Sequence, residues 1–97
     1  MANEIEYKLN EKDNCAGAYL GDKKIGELDF VFESSTVMTI TRTWTDDKFR
    51  GNGIGAELTR YIAEYARKNE KQIIPQCSFA AAFFKNNPEF QDIEYKE

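Results

Sequence analysis

Apolar and polar positions alternate with period two through the first half of the chain and switch to a helical period after residue 53. Ile5, Tyr7 and Leu9 alternate with Glu4, Glu6 and Lys8, the pattern of a half-buried strand. Glu11–Asn14 is a polar turn, and Cys15 to Leu20 reads as a second strand closed by Gly21-Asp22. From Lys24 to Glu33, Gly26, Leu28, Phe30 and Phe32 fall on one face, with Ile25, Glu27, Asp29, Val31 and Glu33 on the other. Val37 to Thr45 is rich in β-branched residues, which favour a pleated strand. Strict alternation there puts Met38, Ile40, Arg42 and Trp44 on one face and Val37, Thr39, Thr41, Thr43 and Thr45 on the other. Short turns between these strands predict an antiparallel meander.

A helix is expected from about Gly53 to Asn69, because Ile54, Leu58, Tyr61, Ile62 and Tyr65 recur at helical spacing. Ile73-Ile74-Pro75 reads as a short buried strand. A helix linking two strands of one sheet predicts that the fourth and fifth strands are parallel neighbours. Ser78 can cap a second helix over Phe79 to Lys85, stopped at Asn86-Asn87-Pro88. The tail, with Phe90, Ile93 and Tyr95, either docks on the core or pairs as a short last strand. These elements give an α+β fold in the order β-β-β-β-α-β-α, a single domain over residues 1–97 without repeat or linker.

Composition narrows the function. Hydrophobic residues make up 41% and aromatic residues 13%, enough for a packed core rather than a disordered chain. A net charge of -4 argues against a general nucleic-acid partner, which needs a basic face. No apolar run reaches membrane-spanning length, and the polar start is unlike a signal peptide. Cys15 and Cys77 stand too far apart for a zinc pair, and there is no histidine, so no metal site is expected. The cytoplasm is the expected location.

The candidate chemistry lies in Arg50-Gly51-Asn52-Gly53-Ile54-Gly55, directly before the helix. A helix start leaves its first N–H groups unpaired at the positive end of the macrodipole, so a glycine-rich turn feeding one suits a phosphate. A P-loop needs Gly-Lys-Ser/Thr, and Gly53-Ile54-Gly55 stands there instead. Gly51, Gly53 and Ala56 satisfy a dinucleotide fingerprint formally, but Glu70 precedes the next strand, where the fingerprint needs an acidic residue after it.

Arg50-x-x-Gly53-x-Gly55, after a meander and opening a helix, resembles the acyl-CoA pyrophosphate loop of the GNAT superfamily of N-acetyltransferases. Phe49-Arg50-Gly51-x-Gly53-Ile54-Gly55, then Ile74-Pro75-x-Cys77-x-Phe79, then Asn87-Pro88-Glu89, resembles the small stand-alone GNAT-like acetyltransferases of the YjdJ type. The resemblance implies a GNAT-like mixed sheet and transfer of acetyl from acetyl-CoA to an amine that the sequence does not name. It also implies a cofactor site at Thr43, Trp44, Thr45, Arg50, Gly51, Asn52, Gly53, Ile54 and Gly55. Backbone N–H groups of the loop would hold the pyrophosphate, with side chains at Gly51, Gly53 and Gly55 excluded because they would crowd it. The pantetheine arm would lie where the fourth strand splays from the fifth, paired to backbone near Thr43–Thr45.

The chain departs from the superfamily in its acid–base groups. Phe83 and Phe84 stand where the last helix commonly carries an acidic tyrosine, and Arg42-Thr43 replaces the subfamily's histidine-threonine pair. Two helices that usually follow the first strand are replaced by the Glu11–Asn14 turn. Cys77 matches the subfamily cysteine and is the candidate catalytic residue, since a thiol beside helix N–H groups is an activated nucleophile. The alternatives are an inert cysteine packed under the CoA arm and a non-catalytic CoA-binding or interaction domain. Trp44 is expected either in the core or as a wall of the acyl cleft, and Cys15 is expected to pack.

Overall fold

The computed structural model describes residues 4–95. Strands β1 (Glu6–Asn10), β2 (Cys15–Leu20), β3 (Lys23–Phe32) and β4 (Val37–Thr45) lead through a short 3-10 turn to helix α1 (Ile54–Lys68). Strand β5 (Gln72–Pro75), helix α2 (Ser78–Asn86) and a second 3-10 segment, Pro88–Ile93, complete the order. One sheet holds all five strands in sequence order, β1 to β4 antiparallel and β5 parallel to β4. This is the expected meander and crossover. The tail docks rather than forming a full strand. Phe90 and Ile93 are buried, and a single parallel bridge joins Glu94 to Ile73.

Both helices lie on one face of the sheet and touch each other. Leu28, Phe30, Met38, Ile40, Leu58, Ile62, Ile73 and Phe84 are buried between the layers, and this apolar burial is the main stabilising term. Gly26 sets how closely α1 can approach. A Cβ built there would stand 2.9 Å from Ile54 Cγ2 and 3.2 Å from the Trp44 carbonyl oxygen. Gly26→Ala is therefore expected to destabilise the fold by about 1–3 kcal/mol, since one contact is rigid backbone. Chemical denaturation checks it, and an unchanged midpoint would show that α1 shifts freely.

Two bulges alter the faces that alternation predicts. In β3, Ala18 pairs with Gly26 and Tyr19 with Lys24, so Ile25 is an extra residue. It is fully buried, although the alternation groups it with Glu27 and Asp29. In β4, Asp29 pairs with Arg42 and Phe30 with Ile40, leaving Thr41 as the extra residue. A bulge moves every later side chain to the other face. Met38 and Ile40 face the helices before it; Thr43 and Thr45 face them after it, opposite Leu28 and Gly26. Arg42 and Trp44 consequently lie on the helix-free face, not with Met38 and Ile40.

Candidate active site

The loop before α1 is built from local capping. Asp46 caps the 3-10 turn Asp47–Phe49 by accepting from the Lys48 N–H at 2.9 Å. Asn52 Nδ2 donates to the Phe49 carbonyl at 2.9 Å and pins the chain as it turns. Gly51 and Gly53 have φ of 87° and 74°, left-handed conformations that cost other residues strain. Gly53 is the N-cap of α1 and has no side chain to offer its N–H groups. The first turn of α1 thus keeps unpaired backbone donors and the positive end of its dipole. Gly55 is small for a different reason: a Cβ there would stand 2.8 Å from the Phe79 ring. These donors border a cleft of about 530 Å³ lined by Thr43, Thr45, Arg50, Gly53 to Ala56, and Phe79.

The other end of the site is the fork between β4 and β5. Their pairing runs from Val37–Gln72 to Ile40–Pro75 and stops there, while β4 continues to Thr45. The Ile40 carbonyl closes the fork by accepting from both Gln76 and Cys77, at 3.1 and 3.2 Å. Cys77 is the N-cap of α2, and its Sγ accepts from the Ala80 N–H at 3.4 Å. Thr43 Oγ1, delivered to this face by the bulge, lies 3.4 Å from the same sulfur, with either group able to donate. The thiol therefore stands at the fork with a helix N–H on one side and a hydroxyl on the other.

Comparison with known proteins identifies the family and the fold. The family model described as GCN5-related N-acetyl-transferase matches residues 15–93. The chain belongs to that family. It aligns with a GCN5-like protein from Staphylococcus aureus at 30% identity and a TM-score of 0.75, over 100% of this chain and 93% of the other. A Mycobacterium tuberculosis protein in complex with CoA shares the fold at 21% identity and a TM-score of 0.61, over 77% of this chain and 47% of that one. So does the N-acetylglutamate synthase of Neisseria gonorrhoeae complexed with coenzyme A and N-acetyl-glutamate, at 12% identity and a TM-score of 0.63, over 86% and 22%. This chain thus spans less than half the length of those two CoA-bound proteins. A search of curated proteins finds no match.

In this member of the GCN5-related N-acetyl-transferase family the cleft collects Thr43, Thr45, Arg50, Gly53, Ile54 and Gly55 from the sequence-derived set. Asn52 borders a neighbouring groove instead, and Gly51 shapes the loop without lining either. Trp44 is neither core nor cleft wall: its side chain is 41% exposed on the helix-free face, so only its backbone can serve the cleft. Ala56 and Phe79 complete the lining. Phe79 carries a signal in the sequence, because it stands in the Cys77-x-Phe79 block, in the first turn of α2. The left-handed φ at Gly51 and Gly53 and the Phe79 contact at Gly55 account for all three glycines without a bound phosphate.

The two cysteines differ as chemistry. Cys15 is buried, and burial, followed by the nearby Glu27 charge, pushes its thiol up from the ordinary range. Above it Arg42 pairs with Asp29 at 2.9 Å and with Glu27 at 3.7 Å, and Lys24 pairs with Glu27. Burial and then the hydrogen bond with Glu27 hold Asp29 above the usual carboxylate range. The Asp29 and Lys24 hydrogen bonds hold Glu27 below it. Both carboxylates are thus committed to a network on the helix-free face, which makes Cys15 a packing residue. Among the described residues no helix is long and apolar enough to cross a membrane.

Proposed function

We propose that the chain, acting as one domain over residues 1–97, binds acetyl-CoA and transfers its acetyl group to an amine. The observation that carries this reading is the pairing of an uncapped helix start with a thiol at the closed end of the strand fork. The pyrophosphate would accept from the first N–H groups of α1, where glycine leaves room. The pantetheine arm would lie along the unpaired edge of β4 beyond Ile40, delivering the thioester toward Cys77. Two unpaired cysteines suit the reducing cytoplasm.

Two features favour Cys77 as a covalent way-station. Phe83 and Phe84 are buried and have no hydroxyl to protonate a departing thiolate. Cys77 brings its own proton. Its sulfur attacks the thioester carbonyl, the acetyl–sulfur bond to CoA breaks, and the proton passes to the CoA sulfur. The acceptor amine then attacks acetyl-Cys77, forming the amide and returning a proton to the Cys77 sulfur. The same missing hydroxyl favours one alternative, a CoA-binding domain without turnover. Calorimetric titration with acetyl-CoA followed by release of free CoA thiol in the presence of amines separates them. Binding with thiol release supports transfer, binding alone supports the alternative, and no binding overturns both.

Arg50 tests the electrostatic share. It borders the cleft but reaches Asp47 at 3.1 Å, with side chains 71% and 88% exposed, so solvent and salt screen it. Arg50→Ala is expected to weaken CoA binding by less than about tenfold and to flatten its salt dependence. Titrations at low and high salt check this; complete loss of binding would make Arg50 an anchor rather than a helper.

A further inference from the structure

The sheet has two edges, and the fold treats them differently. β5 is short and ends at Pro75, which has no N–H to offer. The tail covers that edge: Glu94 bridges to Ile73, and the Tyr95 N–H donates to the Ile73 carbonyl at 2.8 Å. β1 is the opposite edge. It pairs with β2 without a break from Glu6 to Asn10 and holds neither proline nor glycine. Among the described residues no strand pairs with its outer side. An uncovered, regular edge is a template for another strand. We infer that β1 takes β1 of a second copy of this chain, antiparallel, in one register centred on Tyr7.

The side chains select that register. Glu4, Glu6, Lys8 and Asn10 are exposed, while Ile5, Tyr7 and Leu9 are half-buried against the core. Lys8 stands 3.6 Å from Glu6, as residues two apart on one face of a strand can. About a two-fold axis through Tyr7, Glu6 meets Lys8 of the second copy and Lys8 meets its Glu6. Ile5 and Leu9 meet in the same reciprocal way, and Tyr7 meets its own copy. Each of these positions faces a partner of matching chemistry, and opposite charges across an antiparallel pair stabilise it. Other registers lose this match. Centring on Glu6 or on Lys8 sets a charge against its like. Centring between two residues sets the core face of one copy beside the polar face of the other. Parallel pairing aligns like charges. Because Glu6 and Lys8 are exposed, their charges choose the register, and the backbone hydrogen bonds of the new ladder hold it.

The helix layer continues the surface. Tyr61 of α1 has its ring 6.4 Å from that of Tyr7. Beside it Tyr61, Glu64, Tyr65 and Lys68 line an open hollow of about 250 Å³. A two-fold axis perpendicular to the sheet puts the helices of both copies on the same side. There the half-buried tyrosines, with one acid and one base, extend the strand contact. The fork between β4 and β5 lies at the far edge of the sheet, so both copies keep it open.

Sedimentation of the full chain over a range of concentrations tests the pairing. The contact is short, so a monomer–dimer equilibrium is expected with a dissociation constant of about 10–100 μM. Amide exchange in β1 should slow as the dimer forms. Glu6→Lys and Lys8→Glu each set like charges opposite one another at two symmetric positions, and each should weaken the dimer at least about tenfold. An equimolar mixture of the two variants should dimerise again, since the lysines of one then face the carboxylates of the other. The double variant Glu6→Lys/Lys8→Glu should dimerise alone. These recoveries also show that the single variants are folded. A monomer at every concentration up to about 1 mM would overturn the inference. So would single variants that dimerise like the unaltered chain, a mixture that stays monomeric, or a dimer whose β1 amides exchange as fast as in the monomer.

Discussion

Replacing Gly53 with valine is expected to abolish measurable CoA binding in a protein that still folds. Gly53 holds a φ of 74° and lines the cleft, and a Cβ built there meets no protein atom within 4 Å. The added side chain therefore enters open space at the helix start, where an anion must approach the backbone. Valine also carries left-handed strain of about 1–2 kcal/mol. That is survivable for a domain whose stability is on the order of 5–15 kcal/mol. Strain and obstruction are separable. Gly53→Asn keeps the left-handed conformation at low cost while still placing atoms before the first N–H groups. Both variants should lose at least about hundredfold in CoA affinity. Circular dichroism verifies the fold and calorimetry reads the affinity. A folded Gly53→Asn protein with unaltered affinity would move the phosphate site away from the helix start.

Removing the Cys77 thiol should separate binding from chemistry. Incubation with acetyl-CoA is expected to add the mass of one acetyl group, and peptide mapping should place it on Cys77. Cys77→Ala should lower transfer by about two orders of magnitude, the scale of one lost catalytic group. CoA affinity should be nearly unchanged, because the thiol lies at the fork and the loop donors belong to another helix. Loss of the α2 N-cap contact predicts a modest fall in stability of about 1 kcal/mol, which Cys77→Ser would restore without restoring the acyl intermediate's rate. An unmodified Cys77 together with a fully active Cys77→Ala protein would return the residue to a packing role and leave direct attack by the amine.

The parts of the fold read correctly from sequence are those where side-chain pattern and backbone geometry agree. The alternation in β1, the helical spacing from Ile54 and the apolar Ile73-Ile74 pair each have one phase, and each element stands where that phase predicts. Helix α1 starts at Ile54 because Gly53 is left-handed and serves as its N-cap. The bulges are different. Ile25 and Thr41 are unpaired by backbone register, and neither carries a sequence mark of it. The run Thr39 to Thr45 offers threonine at every second position, so polarity cannot tell which side is inward. Strict alternation joins Ile40 and Trp44 on one face, and only the bulge at Thr41 separates them. The tail left two forms open for a related reason. Phe90 and Ile93 are spaced three apart, which a 3-10 segment satisfies as well as a docked irregular chain. In the candidate site, the turn into α1 was legible because Gly51 and Gly53 need the left-handed backbone that glycine adopts freely. That Phe79 lines the cleft and stands against Gly55 depends on how α2 packs on α1, which no local pattern shows.

Thr41 gives β4 a rule of parity. One uncounted residue divides the strand, so inside and outside exchange their even and odd positions across it. A deletion of Thr41 would remove the bulge and leave the faces as they are, with Thr43 and Thr45 on the helix side and Arg42 and Trp44 outside. Pairing Thr41 into the ladder, with no residue lost, would instead turn Arg42 and Trp44 inward and put a guanidinium and an indole where Thr43 now meets Cys77. The lining of the fork therefore depends on whether that one residue is counted into the ladder. The identity of the side chains facing Cys77 is settled by counting before it is settled by chemistry.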